Sequence, residues 1–372
     1  MSVQTSHAER EDFRASVRGL LTDLSSEADV RRVIEEGCWT DRALWSRLAK
    51  DLDLAALVVP AERGGAGMGA AETFVVMTEL GRSLACVPFL SSSVFATSVL
   101  LESGDAAAQD AHLPALVAGD SIAAVAVLEG CGGWGATSVE TVARTTDAGS
   151  LVSGEKTFVV DGSVADLLLV LARDDDALAF FAIRADDPGV DVSPHTTLDP
   201  TRGVASIALD AAAGTRLNSF AGAEEVLRRG LSRTAAALAA EQVGVARRAL
   251  ELAVEYSKVR EQFGRKIGSF QAIKHKCADM LLEVETAESM AWGAACAIDD
   301  ADPEAASLAH LALALCSEAV AHVVTETIEV HGGIGFTWEH PAQLYYKRAI
   351  ATSSLLGSPM WHREKMLQEM GR

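Results

Sequence analysis

The apolar positions of this chain change period twice. From residue 10 to about 118 they recur at helical spacing, as in Leu44, Trp45, Leu48 and Leu52, and again in Phe74, Met77 and Leu80 ahead of Gly81. Pro60 and the run Arg63-Gly64-Gly65-Ala66-Gly67 interrupt that stripe. The run follows a helix and Val58-Val59-Pro60, not a βαβ unit, so it predicts an ordinary turn, not a nucleotide loop. From about 119 short apolar runs take over, at 122–128, 151–162, 165–173, 179–183 and 204–209, separated by Gly, Asp and Ser and with no helix-length stretches between them. They predict a small antiparallel β domain, with 174–178 as a hairpin tip. From about 222 the helical period returns. Leu238, Val243, Ala246, Leu250 and Ala253 form one stripe, and Phe270, Ile273, Cys277, Met280, Leu281 and Val284 a second. A third helix is expected over 304–330 and a fourth over 345–356. The expected fold is α+β: a helical domain at 1–118, a β domain at 119–221 and a helical bundle at 222–372.

Charge narrows the partners. Lysine and arginine number 32 and aspartate and glutamate 52, a formal net charge of −20. Such a chain repels nucleic acid and anionic membrane, so an anionic ligand must be met by a few placed arginines. The 372 residues, 49% of them hydrophobic, suffice for two or three cored domains. No uncharged apolar run of membrane-spanning length is read, and the N-terminus lacks the order of a signal peptide. Cys38, Cys86, Cys131, Cys277, Cys296 and Cys316 show no CxxC spacing. They read as reduced thiols of a cytoplasmic protein, without a metal site.

The densest chemistry lies in Tyr256–Gln271, YSKVREQFGRKIGSFQ. A helix breaks at Gly264 and a new one starts after Gly268, with Ser269 as its expected cap. Arg260, Arg265 and Lys266 surround a helix N-terminus, the makings of a phosphate site. The order R-x-Q-F-G-x-x-I-x-x-F-Q resembles the FAD-contacting turn of the acyl-CoA dehydrogenase family. Three further stretches carry the resemblance. Glu329-Val-His-Gly-Gly-Ile-Gly-Phe336 resembles the family's Q-x-x-G-G-x-G-[FY] loop, where glycines let main chain approach a ligand. Gly154–Gly162 resembles the β-domain strand whose aromatic flanks the flavin, here Phe158, with Val160 where a hydroxyl is common. Leu198-Asp-Pro-Thr-Arg202 resembles the family's D-x-x-R turn, an expected Asp–Arg brace. The α, β, α order matches that family over essentially the whole chain. The likeness extends to actinobacterial members that act on bulky or steroid-side-chain acyl-CoAs.

The resemblance implies FAD held by Arg260, Phe263, Gln271, Phe158, Glu329, Gly332 and Gly333, partly across a subunit interface. Two departures accompany it. Leu128-Glu-Gly-Cys-Gly-Gly-Trp-Gly135 keeps only Glu129 of the family's T-E-P-x-A-G-S-D loop, and Glu329 replaces a glutamine, placing a carboxylate near a diphosphate.

The family's reaction needs a carboxylate base in an apolar pocket. One usual position falls on Leu355 or Leu356, and the other, aligned from Arg260, on Thr234. Glu241 lies two turns beyond Thr234 on the same helix face, among small apolar neighbours, and is the candidate base; pairing with an arginine or capping a helix contact is the equal alternative. Glu339 and His340 are weaker candidates. His331 and His275 suit packing or phosphate contact.

The expected function is α,β-desaturation of an acyl-CoA thioester, with electrons passing to an electron-transfer flavoprotein. The assembly would be a homodimer, a homotetramer or a heterotetramer with a homologous subunit. The alternative is a non-catalytic subunit of an α2β2 acyl-CoA dehydrogenase that completes its partner's FAD site.

Overall fold

The computed structural model describes residues 5–130, 133–134, 139–146, 149–175 and 177–371. Cys131, Gly132 and Gly135 of the 128–135 loop and Asp176 of the hairpin tip lie outside the described residues, as do the first four residues. The chain forms two compact units. One takes Val33–Gly69 and Cys86–Thr234, the other Thr5–Arg32, Ala70–Ala85 and Ala235–Arg372.

The helices of the first third are α1 (His7–Leu24), α2 (Glu27–Glu36), α3 (Arg42–Asp51), α4 (Ala70–Ser83), α5 (Thr97–Ser103) and α6 (Ala106–Val117). Ser6 caps α1 in a reciprocal box with Glu9, and Asp41 and Asp105 cap α3 and α6. Before α5 the chain runs Phe89–Ala96 as a π-helical segment, fully buried, which the apolar pattern did not distinguish from a helix. The run at 64–67 is an ordinary turn, as expected. Gly64 is left-handed at φ 82°, and a Cβ on Gly65 would sit 1.9 Å from the Val59 carbonyl oxygen.

The first unit holds a seven-stranded sheet: β1 (Ala123–Ala126), β2 (Val142–Thr146), β3 (Gly149–Val160), β4 (Leu167–Asp174), β5 (Ala177–Arg184), β6 (Val190–Pro194) and β7 (Val204–Arg216). Strands β2 and β6 went unread in the sequence, since each is short and mixes valine with polar residues, without an extended apolar run. The pairing runs β1-β4-β2-β3-β7-β5, and β4 pairs again with β5, so the path closes on itself. Most pairs are antiparallel, but β4 runs parallel to β1 and to β2, a correction to the purely antiparallel expectation. The reason is burial: β1 and the first six residues of β4 are buried throughout, as suits strands covered on both faces. Their side chains join Val152, Phe181, Ile183, Ile207 and Leu209 in one core.

The second unit is helical. It contains α1, the start of α2, α4, residues 235–259 of α7 (Ala223–Val259), α8 (Gln271–Asp299), α9 (Ala305–His331), α10 (Ala342–Thr352) and α11 (Pro359–Met370). Helix α9 packs on α8, α10 and α11, and α4 packs on α1 and α8. The stretch Ala305–Phe336 is long and apolar enough to cross a membrane by length and composition, but 56% of its most apolar window is buried inside the protein, as in a core helix. One position of the expected α8 stripe departs from it. Leu281 is exposed, and Met280, Val284 and Ala287 form the buried line.

Small residues set the spacing of α4 against α7. A Cβ on Gly244 would fall 2.0 Å from the Thr78 carbonyl oxygen, and one on Gly81 2.2 Å from that of Glu241. Backbone, not a movable side chain, occupies both places. Gly244→Ala should therefore destabilise the protein by about 1–3 kcal/mol through forced helix displacement. Urea unfolding checks this; a variant of unchanged or raised stability would contradict the close crossing.

Candidate functional site

The cationic turn is a tight hairpin. Helix α7 ends at Val259, and β8 (Glu261–Gln262) pairs with β9 (Arg265–Lys266) across Phe263-Gly264. Both turn residues have positive φ, 55° and 76°, as a two-residue hairpin of this hand requires. The Ile267 amide donates to the Arg260 carbonyl at 2.9 Å and closes the base of the hairpin. Lys266 is occupied locally, bonding the Val259 carbonyl and Glu261, both at 3.0 Å. Arg265 stacks on Phe270, 3.9 Å from the ring centre. Among the described residues no carboxylate pairs with the exposed Arg260 guanidinium. Ser269 does not cap α8: its hydroxyl bonds the Lys266 carbonyl at 2.7 Å, and Phe270 holds the cap position without a side-chain bond. The first amides of α8, beside an exposed Gln271, are thus left without a side-chain cap.

The end of α9 comes to the same place. Tyr256, one turn before Arg260, stacks on His331 at 4.5 Å. Gly332–Phe336 then form a 3-10 turn starting at φ 63°, and Cβ atoms added at Gly332 or Gly333 would meet nothing within 4 Å. Glu329, the carboxylate in place of the family's glutamine, receives Lys276 Nζ at 2.8 Å. Lys276 holds its carboxyl below the usual range, and the same ammonium binds Glu326. Lys276 thus sits between two carboxylates and offsets part of the repulsion expected of a carboxylate near a diphosphate, with one negative charge left over. Arg260, Phe263, Gln271, Glu329, Gly332 and Gly333 therefore all belong to the helical unit.

Phe158 belongs to the other unit. It lies in an irregularity of the β3–β7 ladder between Lys156 and Val159, with φ 52°. Its ring stacks on His195 at 5.8 Å, and His195 Nε2 is 2.9 Å from the Ser206 hydroxyl. Phe158 and Phe263 are both exposed aromatics, at 55% and 92%, held in a backbone region that costs about 1–2 kcal/mol for a residue with a Cβ. Strained, exposed aromatics mark surfaces kept for contact. Phe263→Gly should stabilise the free chain by roughly 1 kcal/mol while weakening flavin retention. Thermal unfolding beside the visible spectrum checks this, and a variant that is less stable with flavin unchanged contradicts it.

Glu129, the retained residue of the degraded loop, is a brace. It accepts the amide of Glu140 at 2.5 Å and that of Thr141 at 3.1 Å, and pairs with the buried Lys156 at 2.5 Å. Burial pushes its carboxyl up, but these bonds outweigh burial and hold it below the usual range. For Lys156 burial wins, and its ammonium is pushed down. Trp134 of the same loop is buried, its ring 6.0 Å from Phe95. In the 198–202 turn, Asp199 Oδ1 accepts the Thr201 amide at 2.9 Å and its hydroxyl, so the aspartate shapes its own turn.

Of the two alternatives for Glu241, the structure gives it an arginine. Arg348 Nη1 on α10 donates to its Oε1 at 2.7 Å, and the two side chains are 1% and 2% exposed. The other buried carboxylates among the described residues are likewise held within their own units. Asp41 accepts the Leu44 amide, Glu72 the Thr5 hydroxyl, Asp161 the Ser91 hydroxyl and Asp199 Thr201, while Glu79 receives Arg14 and Arg18. The two usual base positions are apolar or satisfied. Leu356 is buried, and the Thr234 hydroxyl bonds the Gly230 carbonyl at 2.7 Å. Glu339 is exposed on the turn after the glycine loop. Arg348 gave no signal in the sequence because its partner lies 107 residues away. Arg348→Met should cost about 3–5 kcal/mol by stranding a buried charge, and Glu241→Gln in the same chain should return part of it. Denaturant unfolding of the double-mutant cycle measures this; additive losses would mean that the pair is not coupled.

Three family models match in succession: Acyl-CoA dehydrogenase N-terminal domain over 7–120, middle domain over 124–211 and C-terminal domain over 221–371. The chain belongs to the acyl-CoA dehydrogenase family, and that membership implies FAD and an oxidoreductase. It is 36% identical to acyl-CoA dehydrogenase IpdE2 of Mycolicibacterium smegmatis over 94% of this chain and 95% of that one. Among solved structures it resembles the Tcur3481-Tcur3483 steroid ACAD, as a variant, with TM-score 0.87, 31% identity and 98% of each chain covered. It also resembles the ChsE4-ChsE5 complex of Mycobacterium tuberculosis, with TM-score 0.86, 29% identity, and 100% of this chain and 99% of that one covered.

Proposed function

We propose that this chain is the subunit of a heteromeric acyl-CoA dehydrogenase that completes an FAD site but does not supply the base. One observation carries the proposal: every buried carboxylate among the described residues is already committed to a partner, Glu241 to a buried guanidinium 2.7 Å away. A general base needs a carboxylate free to take a proton from substrate. Glu241 instead neutralises Arg348 and, through it, holds α10 against α7.

The flavin-side residues fit a donor role. Among the described residues Arg260 has no carboxylate partner, Gly332 and Gly333 present an open main chain, and Lys276, shared with Glu326, offsets part of the charge of Glu329. Phe158 and Phe263 offer exposed rings for contact, and the uncapped start of α8 beside Gln271 suits a phosphate oxygen. When bound, FAD supplies the hydride acceptor for the acyl β-carbon, and electrons then leave to an electron-transfer flavoprotein. The α-proton goes to a carboxylate on the homologous partner subunit. Two similar solved structures support this assembly, one described as a complex of two named chains and one as a two-component steroid ACAD. The substrate class that follows is a bulky, steroid-side-chain acyl-CoA, in a cytoplasmic α2β2 heterotetramer.

The chain purified alone should be colourless or poorly assembled, and co-expression with its homologous partner should yield a yellow complex of both chains. Within that complex Arg260→Ala should lower flavin content severalfold by loss of a charged contact. Glu241→Gln should leave turnover per bound flavin within about threefold while lowering stability. A yellow homo-oligomer bleached by an acyl-CoA and silenced at least a thousandfold by Glu241→Gln with flavin retained would instead establish catalysis by this chain.

A further inference from the structure

The irregularity that carries Phe158 is a bulge built from both strands. Lys156 pairs with Ile207 and Val159 with Ala205, so two residues of β3, Thr157 and Phe158, stand against one residue of β7, Ser206. Ile207 and Ala205 are two apart on β7 and share a face, and Lys156 and Val159 are buried with them. In an unbroken strand Phe158 would take the face of Lys156. The extra residue gives that place to Val159 and turns Phe158 outward. The left-handed backbone at Phe158 is part of that turn. The Thr157 amide, freed from the ladder, donates to the Leu128 carbonyl at 2.8 Å.

What meets the outward ring comes from the same ladder. Ser206, opposite the bulge, lies on the other face of β7 from Ala205 and Ile207, and pairs with the exposed Ser193 of β6. Its hydroxyl lies 2.9 Å from His195 Nε2. A hydroxyl both donates and accepts, so it holds the imidazole in either tautomer. The His195 amide donates to the Val204 carbonyl at 2.8 Å, so backbone as well as side chain tie this residue to β7. The His195 ring lies at 26° to that of Phe158, with centres 5.8 Å apart, within the range of an offset stack. The stack leaves Phe158 55% exposed and is made by a strained backbone, so its effect is on the orientation of the ring more than on the core.

We propose that His195 is a positioning residue: with Ser206 it props the Phe158 ring in one pose and presents the ring's open side to the planar ring system of a bound flavin. This deepens, and rests on, the flavin role proposed above. A phenyl side chain on a surface bulge turns about two bonds. A stacked neighbour tied at two points removes most of that freedom before a ligand arrives, which lowers the ordering cost of binding. His195 acts through Phe158 and through no contact of its own with the flavin.

The test uses the full chain co-expressed with its homologous partner. Fluorine-labelled phenylalanine reports the Phe158 ring directly, with its line assigned by Phe158→Leu. His195→Ala should move that line toward the position of a free surface ring. His195→Phe, which restores a ring without the Ser206 bond, should move it back. Flavin should dissociate about three- to tenfold faster from the His195→Ala complex, with its visible band shifted, and His195→Phe should recover both. Ser206→Ala keeps the imidazole but unties it; its effects should fall between, and it carries the test if His195→Ala assembles poorly. A fluorine line unmoved in both His195→Ala and Ser206→Ala overturns the positioning role, and so does a flavin loss that His195→Phe does not recover. A line that moves as expected, with flavin rate and band those of wild type, keeps the stack and overturns its role toward flavin. A complex that binds no FAD sinks the proposed function, while the fluorine line still decides the stack.

Discussion

A carboxylate removed from water must meet positive charge or give up its own, and in the helical unit this constraint falls on Glu241. Its surroundings on α7 are alanine, valine and glycine, and the glycines admit α4 so closely that main chain fills the space a methyl would need. The guanidinium of Arg348 reaches it from α10, and the pair is buried on both sides. A buried pair of this kind adds little net stability compared with an apolar substitute, but losing one member is costly. It therefore specifies which helix meets which. In the proposed reading, the same commitment takes the most obvious proton acceptor out of the chemistry.

The flavin-side departures from the family pattern follow a similar logic. Glu329 would repel a diphosphate if left alone, and it is not alone: Lys276 rises from α8 to bind it together with Glu326. Apart from this partly compensated corner, Arg260 has no carboxylate partner among the described residues, at the base of a hairpin whose two turn residues both take left-handed backbone. Positive charge is thus spent locally at Lys266 and Lys276 and kept available at Arg260. In a chain of net charge −20, an anionic ligand depends on that placement.

In the β-sheet unit, a residue that looks functional by its family position proves to be structural. Glu129 ties the loop after β1 to the amides before β2 and to Lys156 within β3. Its neighbour Trp134 packs against Phe95. The retained Glu129 and the Trp134 contact are thus both committed within this unit. A loop so changed suits a subunit that supports a flavin site more than one that operates a complete site.

Local periodicity made much of the architecture legible. The change from helical stripe to short β runs and back appears in the side-chain pattern, because burying one face of a helix or strand imposes a period on the residues of that face. The chain break at Gly264 and the glycine loop were readable for a related reason: each requires particular residue types within a few positions, although the helix ends at Val259 and the β8–β9 hairpin itself was not read. The family resemblance rested on those same local motifs. Beyond their reach, sequence was silent or undecided. Parallel pairing of β4 with β1 and β2, strands β2 and β6, and the Lys276–Glu329 pair all depend on partners distant in the chain. Glu241 shows the division most clearly. Its apolar surroundings could be read along α7, and they suited a base and an ion pair equally. Which of these it became depended on an arginine 107 residues away, brought within 2.7 Å by the packing of α10, since the state of a buried charge is set by its neighbours in space.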